Sequence, residues 1–168
     1  MIDPQKKTIK WGIIGAGRIA RTFATDLQYA AHATLQGIAS RQADPAKAFA
    51  GEFSVPNYYG SYAAMLADPA IDAVYIATPH SHHRDQSIAA LNAGKHVLCE
   101  KPATVTGAEL EDVITVAKQQ DRYFMEGMWT YFMPVIQKTK RWVEEGRIGQ
   151  LCHVKADFGF PLPYDPNL

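Results

Sequence analysis

A doubly wound α/β fold, a parallel sheet with helices on both faces, is the architecture this sequence predicts, and three observations carry it. Short apolar segments alternate with segments of helical periodicity along most of the chain. Gly15-Ala16-Gly17-Arg18-Ile19-Ala20 stands where the first apolar segment gives way to the first helical one. The length, 168 residues, suits one complete core and a fragment of another.

The elements follow in order. Ile9 to Ile14 is an apolar run ending at a glycine and reads as a buried strand, with a helical stretch after it from about Arg18 to Tyr29. Leu35 to Ala39 is a strand, and Asp44-Pro45 then opens a helix with Asp44 as N-cap and Pro45 in the first turn. Ser61 to Ala67 is a short helix, Ala73 to Ala77 a strongly apolar strand, and His82 to Asn92 a helix closed by Gly94. His96 to Cys99 is another strand. Leu110, Val113, Ile114 and Ala117 recur at helical spacing, and Tyr123 to Met125 makes the strand that follows. Phe132, Val135, Ile136, Thr139, Trp142 and Val143 mark a last helix ending near Gly146. Strands and helices in this alternation imply βαβ units.

From about residue 148 the rhythm changes. Val154, Ala156, Phe158 and Phe160 alternate with Lys155 and Asp157, so His153 to Phe160 reads as a half-exposed strand of an open antiparallel sheet. The expected organisation is a domain over 1–128, a connecting helix packed on it over 129–147, and over 148–168 the first strand of a truncated α+β domain.

Composition narrows the class. Lys and Arg number 17 and Asp and Glu 17, so no net charge favours nucleic acid or an anionic membrane. No apolar run is long enough to span a bilayer, and Met1 to Lys10 lacks a signal-peptide core, which points to the cytoplasm. Cys99 and Cys152 lack metal-ligand spacing and read as two reduced, buried thiols.

The glycine segment carries the first chemistry. After a strand and at a helix start, Gly15 permits a tight turn, Gly17 lets backbone N–H groups approach a pyrophosphate, and Ala20 keeps helix and strand close. The helix N-terminus adds its dipole. The alternative for two glycines is an ordinary turn, which the βαβ setting disfavours. At the end of the second strand, Ser40-Arg41 replaces the acid that accepts the ribose 2′-OH in NAD-specific sites. A hydroxyl and a guanidinium suit a 2′-phosphate, hence NADP rather than NAD, although NAD stays possible. The competing reading is a solvated Arg beside a turn Ser.

Taken together, Gly12 to Ala20, Ala77-Thr78-Pro79 with His83, and Gly94-Lys95-His96-Val97-Leu98-Cys99-Glu100-Lys101-Pro102 resemble the Gfo/Idh/MocA oxidoreductases, from about Thr8 onward. Glu126-Gly127-Met128-Trp129-Thr130 is similar to the NADP-dependent branch of trans-dihydrodiol and D-xylose 1-dehydrogenases. The resemblance implies a Rossmann domain in which Lys101 is catalytic, assisting proton transfer from a substrate hydroxyl. It places Gly15, Ala16, Gly17, Arg18, Ile19, Ser40, Arg41, Thr78, Pro79, His80, His83, Glu100, Lys101, Met128 and Trp129 along the cofactor, Glu100 near the nicotinamide and Trp129 as an apolar wall. For Trp129 core packing is the alternative. Tyr131 departs from the pattern, because relatives in that branch carry arginine after Trp-Thr.

The resemblance also implies a small-molecule substrate (a sugar, polyol or cyclic diol), and homo-oligomers formed through the open sheet of the C-terminal substrate domain. His80-Ser81-His82-His83 invites a metal reading, but no carboxylate or thiol partner stands at ligand spacing, so exposed histidines at a helix start are expected and no metal. Two further readings stay open: a dinucleotide-binding, redox-sensing module without turnover, which has no evident use for Lys101, and a glycosidase using NAD through transient oxidation.

Overall fold

The computed structural model describes residues 8–157 and 159. Among the described residues there are six strands: β1 (Ile9–Ile14), β2 (Ala33–Ala39), β3 (Asn57–Tyr59), β4 (Ala73–Ile76), β5 (His96–Cys99) and β6 (Phe124–Glu126). They form one sheet in the order β3-β2-β1-β4-β5-β6, and every pair is parallel. Between the strands run α1 (Arg18–Leu27), α2 (Ala43–Phe53), α3 (Tyr62–Leu66), α4 (His83–Asn92) and α5 (Gly107–Gln119). The strand order reverses between β1 and β4, the switch point outside whose carboxyl end a doubly wound sheet takes its ligand.

Both faces of the sheet are buried, which explains why the strands read as apolar runs rather than as alternations. Ile14, Ala39, Val74 and Ile76 belong to one core layer, with Leu91 of α4 and Val113 of α5. Ile13, Ile38 and Tyr75 belong to the other, with Ala20 and Ala24 of α1 and Phe49 of α2.

Most elements lie within two residues of their expected places, and the differences have local causes. β3 escaped the sequence reading. It is three residues long, shows no apolar period, and becomes a strand by pairing with β2, where Gly37 stands opposite Asn57. Asp44 is not the N-cap of α2: that position is Gln42, and Asp44 lies in the first turn, where its charge still faces the helix dipole. α5 starts with a side-chain cap, the Thr106 hydroxyl accepting from Glu109 N–H at 3.3 Å.

The chain divides into two units between Met128 and Trp129. The second holds a 3-10 turn, Trp129–Phe132, and α6 (Pro134–Glu144) with proline in its first turn. Within it Lys140 Nζ donates to the Tyr131 hydroxyl at 3.1 Å and lies over the Tyr131 ring. The expected strand from His153 is absent from residues 153–157, which have no strand pairing; a strand forms only where a neighbour takes its N–H and C=O groups. Phe158 and Phe160 lie outside the described residues.

Candidate functional site

The carboxyl ends of the strands stand level because the ladder continues one residue past each. Gly15 N–H donates to Ala39 O at 2.9 Å, Ala77 N–H to Ile14 O at 2.9 Å, Glu100 N–H to Ile76 O at 3.0 Å and Gly127 N–H to Cys99 O at 2.6 Å. Ser40 N–H reaches Tyr59 O at 3.2 Å. The loops carrying Gly15–Gly17, Ser40-Arg41, Thr78-Pro79, Glu100-Lys101 and Met128 therefore leave the sheet along one edge. That brings together the residues singled out in the first unit, although they come from five separate parts of the sequence.

At the head of α1, Gly15 has φ +100° and its missing Cβ would meet the Ala77 carbonyl oxygen at 2.8 Å, so this turn admits only glycine. Gly17 differs: it is the N-cap of α1, extended, and a Cβ there would face open space. The backbone is thus closed on the sheet side and open outward, at a helix start whose first N–H groups lack intrahelical acceptors. Such a cradle fits a dinucleotide pyrophosphate. Ala16 is half-buried, Arg18 and Ile19 are exposed, and Ala20 is fully buried between α1 and the sheet. At the next loop Ser40 is half-buried and Arg41 exposed, with Tyr62 of α3 close enough to feel its charge.

The Glu100–Ala103 loop is held by groups from other elements. Tyr75 of β4, stacked on Phe23 of α1 with ring centroids 3.9 Å apart, donates its hydroxyl to Glu100 Oε1. Burial, and then the Glu100 carboxylate itself, push the Tyr75 phenol far above its ordinary value, so it stays a donor. Glu100 Oε2 accepts from Lys101 N–H at 3.2 Å. Glu126 Oε1, at the end of β6, accepts from Ala103 N–H at 2.8 Å. Lys101 itself is exposed and its peptide bond to Pro102 is cis. Behind the loop the Cys99 thiol is fully buried, and burial pushes it up to about 12, so it is an inert packing group; Cys152, expected to be buried as well, is exposed.

The histidine cluster splits. His80 and His82 are exposed in a 3-10 turn, His80–His82, whereas His83 is fully buried. Its Nδ1 lies 2.8 Å from Pro102 O and its Nε2 2.8 Å from Thr78 O. The expected exposure of His83 is therefore corrected: it is fully buried, and both ring nitrogens face backbone carbonyls of the same chain. The Thr78 hydroxyl donates to Gln86 Oε1 at 2.5 Å. Among the described residues no group of three or more His, Cys, Asp or Glu side chains is arranged to hold a metal ion. No helix among them is long and apolar enough to cross a membrane. Met128 is 47% exposed at the end of the edge, while Trp129, expected beside it, belongs to the second unit.

Sequence reasoning assigned no part to Tyr75, Glu126 or Lys95. The first sits mid-strand in an apolar run and carried no local signal; the second opens the Glu126-Gly127-Met128-Trp129-Thr130 string, but nothing local shows which group its carboxylate meets. Lys95 is 6% exposed, with its ammonium donating to Asp68 O at 2.7 Å and Ile71 O at 2.8 Å. Nothing in a Gly-Lys-His-Val string marks a lysine as buried.

Residues 9–128 match the Gfo/Idh/MocA family model, described as an oxidoreductase family with an NAD-binding Rossmann fold. The chain belongs to the Gfo/Idh/MocA oxidoreductase family. It is 38% identical over 161 residues to mouse trans-1,2-dihydrobenzene-1,2-diol dehydrogenase, an alignment covering 95% of this chain and 48% of that protein. It is 37% identical over 163 residues to the D-xylose 1-dehydrogenase (NADP(+)) of Hypocrea jecorina, covering 89% and 41%. Among solved structures, the Lactobacillus casei scyllo-inositol dehydrogenase crystallised with bound NAD(H) and scyllo-inositol superposes with a TM-score of 0.78 at 34% identity, covering 85% of this chain and 43% of that one. A Klebsiella pneumoniae NAD-binding oxidoreductase gives a TM-score of 0.81 at 26% identity, covering 84% and 40%. This Gfo/Idh/MocA chain thus spans about half the length of the curated relatives it matches, 48% in the mouse case.

Proposed function

We propose that this chain is the NADP(H)-binding domain of an oxidoreductase acting on a CH–OH group of a sugar, polyol or cyclic diol. One observation carries the reading: the glycine cradle, the Ser40-Arg41 pair and the Lys101 loop leave the same edge of one sheet, beside its switch point. The named activities of the relatives, on a dihydrodiol, on xylose and on an inositol, support the substrate class.

When bound, the dinucleotide supplies the hydride-exchanging centre. The chain's own residues do the rest. Backbone N–H groups at the head of α1 bind the pyrophosphate. Ser40 and Arg41 bind the 2′-phosphate, the guanidinium by paired charge-assisted bonds. Lys101 meets the substrate hydroxyl at Nζ, where it polarises the O–H and assists its proton transfer as the carbinol is oxidised. Met128 lines the far end of the edge.

The remaining substrate contacts belong to a C-terminal domain beginning near residue 148, through whose sheet the whole protein pairs with itself. The free thiols of Cys99 and Cys152 support a reducing, cytoplasmic location. The deciding experiment uses the whole protein. Lys101→Met should lose at least a hundredfold in kcat with NADP affinity within twofold of the parent, by the usual weight of general acid–base assistance. Turnover that survives this change removes Lys101 from the chemistry, and an NADP-binding chain with no turnover on any carbinol substrate points instead to a sensing module.

A further inference from the structure

We infer that His83 is a positioning residue: its buried ring ties the turn after β4 to the loop after β5, and so sets Thr78 and the Lys101-Pro102 segment relative to one another. The two carbonyls it meets, Thr78 O and Pro102 O, lie on different loops, and each is 2.8 Å from a different ring nitrogen. Two carbonyls are both acceptors and cannot bond each other, so a bridge between them must bring an N–H to each. Imidazole is the side chain that presents two such nitrogens in divergent directions on one rigid frame. A ring with hydrogen on one nitrogen closes one of the two bonds, and a ring with hydrogen on both closes the pair.

The placement is what makes the bridge functional. His83 opens α4, whose buried Ala90 and Leu91 anchor it to the core, and the ring is shielded from water. The Thr78 carbonyl follows directly on Ala77, whose own oxygen abuts Gly15, so one end of the bridge fixes the turn that closes the glycine cradle. The other end fixes the carbonyl next to Lys101. Glu126 accepts from Ala103 N–H at 2.8 Å, so the peptide group between Pro102 and Ala103 is gripped at its oxygen from α4 and at its N–H from β6. His83 thus acts through backbone carbonyls on both the cofactor turn and the lysine loop. Its meaning for turnover rests on the role proposed for Lys101; the bridge itself does not.

The test is hydrogen exchange read by mass spectrometry on the cofactor-free chain, comparing wild type, His83→Asn and His83→Gln. Asn places its amide nitrogen where Nδ1 stands, and Gln where Nε2 stands. Asn should keep residues 101–105 protected and speed exchange in 78–82 about fivefold, the net weight of one hydrogen bond, and Gln should do the reverse. NADP affinity should follow Gln rather than Asn. Equal loss of protection in both segments for both variants, or loss in neither, overturns the bridge and leaves His83 a packing residue.

Should either variant fail to fold, the ring protons of the wild-type chain labelled at histidine nitrogens decide the matter. Slowly exchanging N–H protons at both ring nitrogens of the buried histidine support the bridge, and one protected ring N–H or none overturns it. A crossed exchange pattern in a chain that binds no dinucleotide keeps the bridge and defeats the proposed function; NADP binding without the crossed pattern does the opposite.

Discussion

Gly15 and Ala77 are in backbone contact across the switch point: a Cβ on Gly15 would stand 2.8 Å from the Ala77 carbonyl oxygen, at a φ of +100° that L side chains avoid. Gly15→Ala should therefore destabilise the fold by about 1–3 kcal/mol, as strained backbone positions do. Gly17→Ala, whose Cβ faces open space, should leave the melting temperature within a few degrees and still weaken dinucleotide binding. Thermal melts and nicotinamide-fluorescence titrations of the two variants separate these effects. Equal melting temperatures for the pair would refute the contact.

Arg41 is exposed and free to reach a ligand at the edge. Charge-assisted bonds to phosphate are worth about 1.5–3 kcal/mol, so Arg41→Ala should weaken NADP at least tenfold and leave NAD within twofold. Competition titrations with both nucleotides check it. An unchanged ratio means that Arg41 is a solvated surface charge.

Lys95 holds the amino-terminal side of the sheet, where its buried ammonium joins the chain before β4 to the start of β5. Burial holds it below the ordinary lysine value, against the pull of Asp68 and Asp72. Lys95→Met would leave the Ile71 carbonyl without its donor and the Asp68 carbonyl with only Ile71 N–H, at 3.3 Å. It should cost about 1–3 kcal/mol in urea unfolding without changing dinucleotide affinity. A variant as stable as the parent would show those carbonyls content without the lysine.

Asp68 accepts from the Tyr59 hydroxyl at 2.5 Å and from Ala70 N–H at 2.8 Å, and these bonds, Tyr59 first, hold its carboxyl below the ordinary value. The folded value lies under the unfolded one, so this contribution is complete above the ordinary carboxylate range. It is lost as pH falls through that range towards the folded value. Tyr59 is pushed up to about 12, chiefly by burial and then by Asp68, so its contribution is complete below its ordinary value near 10 and is lost as pH rises towards 12. Tyr59→Phe should flatten both arms of the melting temperature against pH and cost about 1 kcal/mol at neutrality. Arms as steep as the parent's would show that the pair does not govern them.

What the sequence determined by itself is what short stretches encode. Apolar runs ended by glycine, helical spacing such as Leu110-Val113-Ile114-Ala117, and a glycine pair at a strand–helix junction all act through neighbours a few residues away. They located five strands, the main helices and the cradle, and the Gly-Lys-His-Val…Glu-Lys-Pro string located the lysine loop. Tertiary structure decided whatever depends on partners far along the chain. β3 exists because β2 pairs with it, and no strand forms over 153–157 without such a partner. His83 turns inward because Thr78 and Pro102 each present a carbonyl to it, and Lys95 is buried because its ammonium meets the Asp68 and Ile71 carbonyls. A polar side chain carries no local mark of burial; its place is set by which distant backbone groups still need a donor once the sheet has closed.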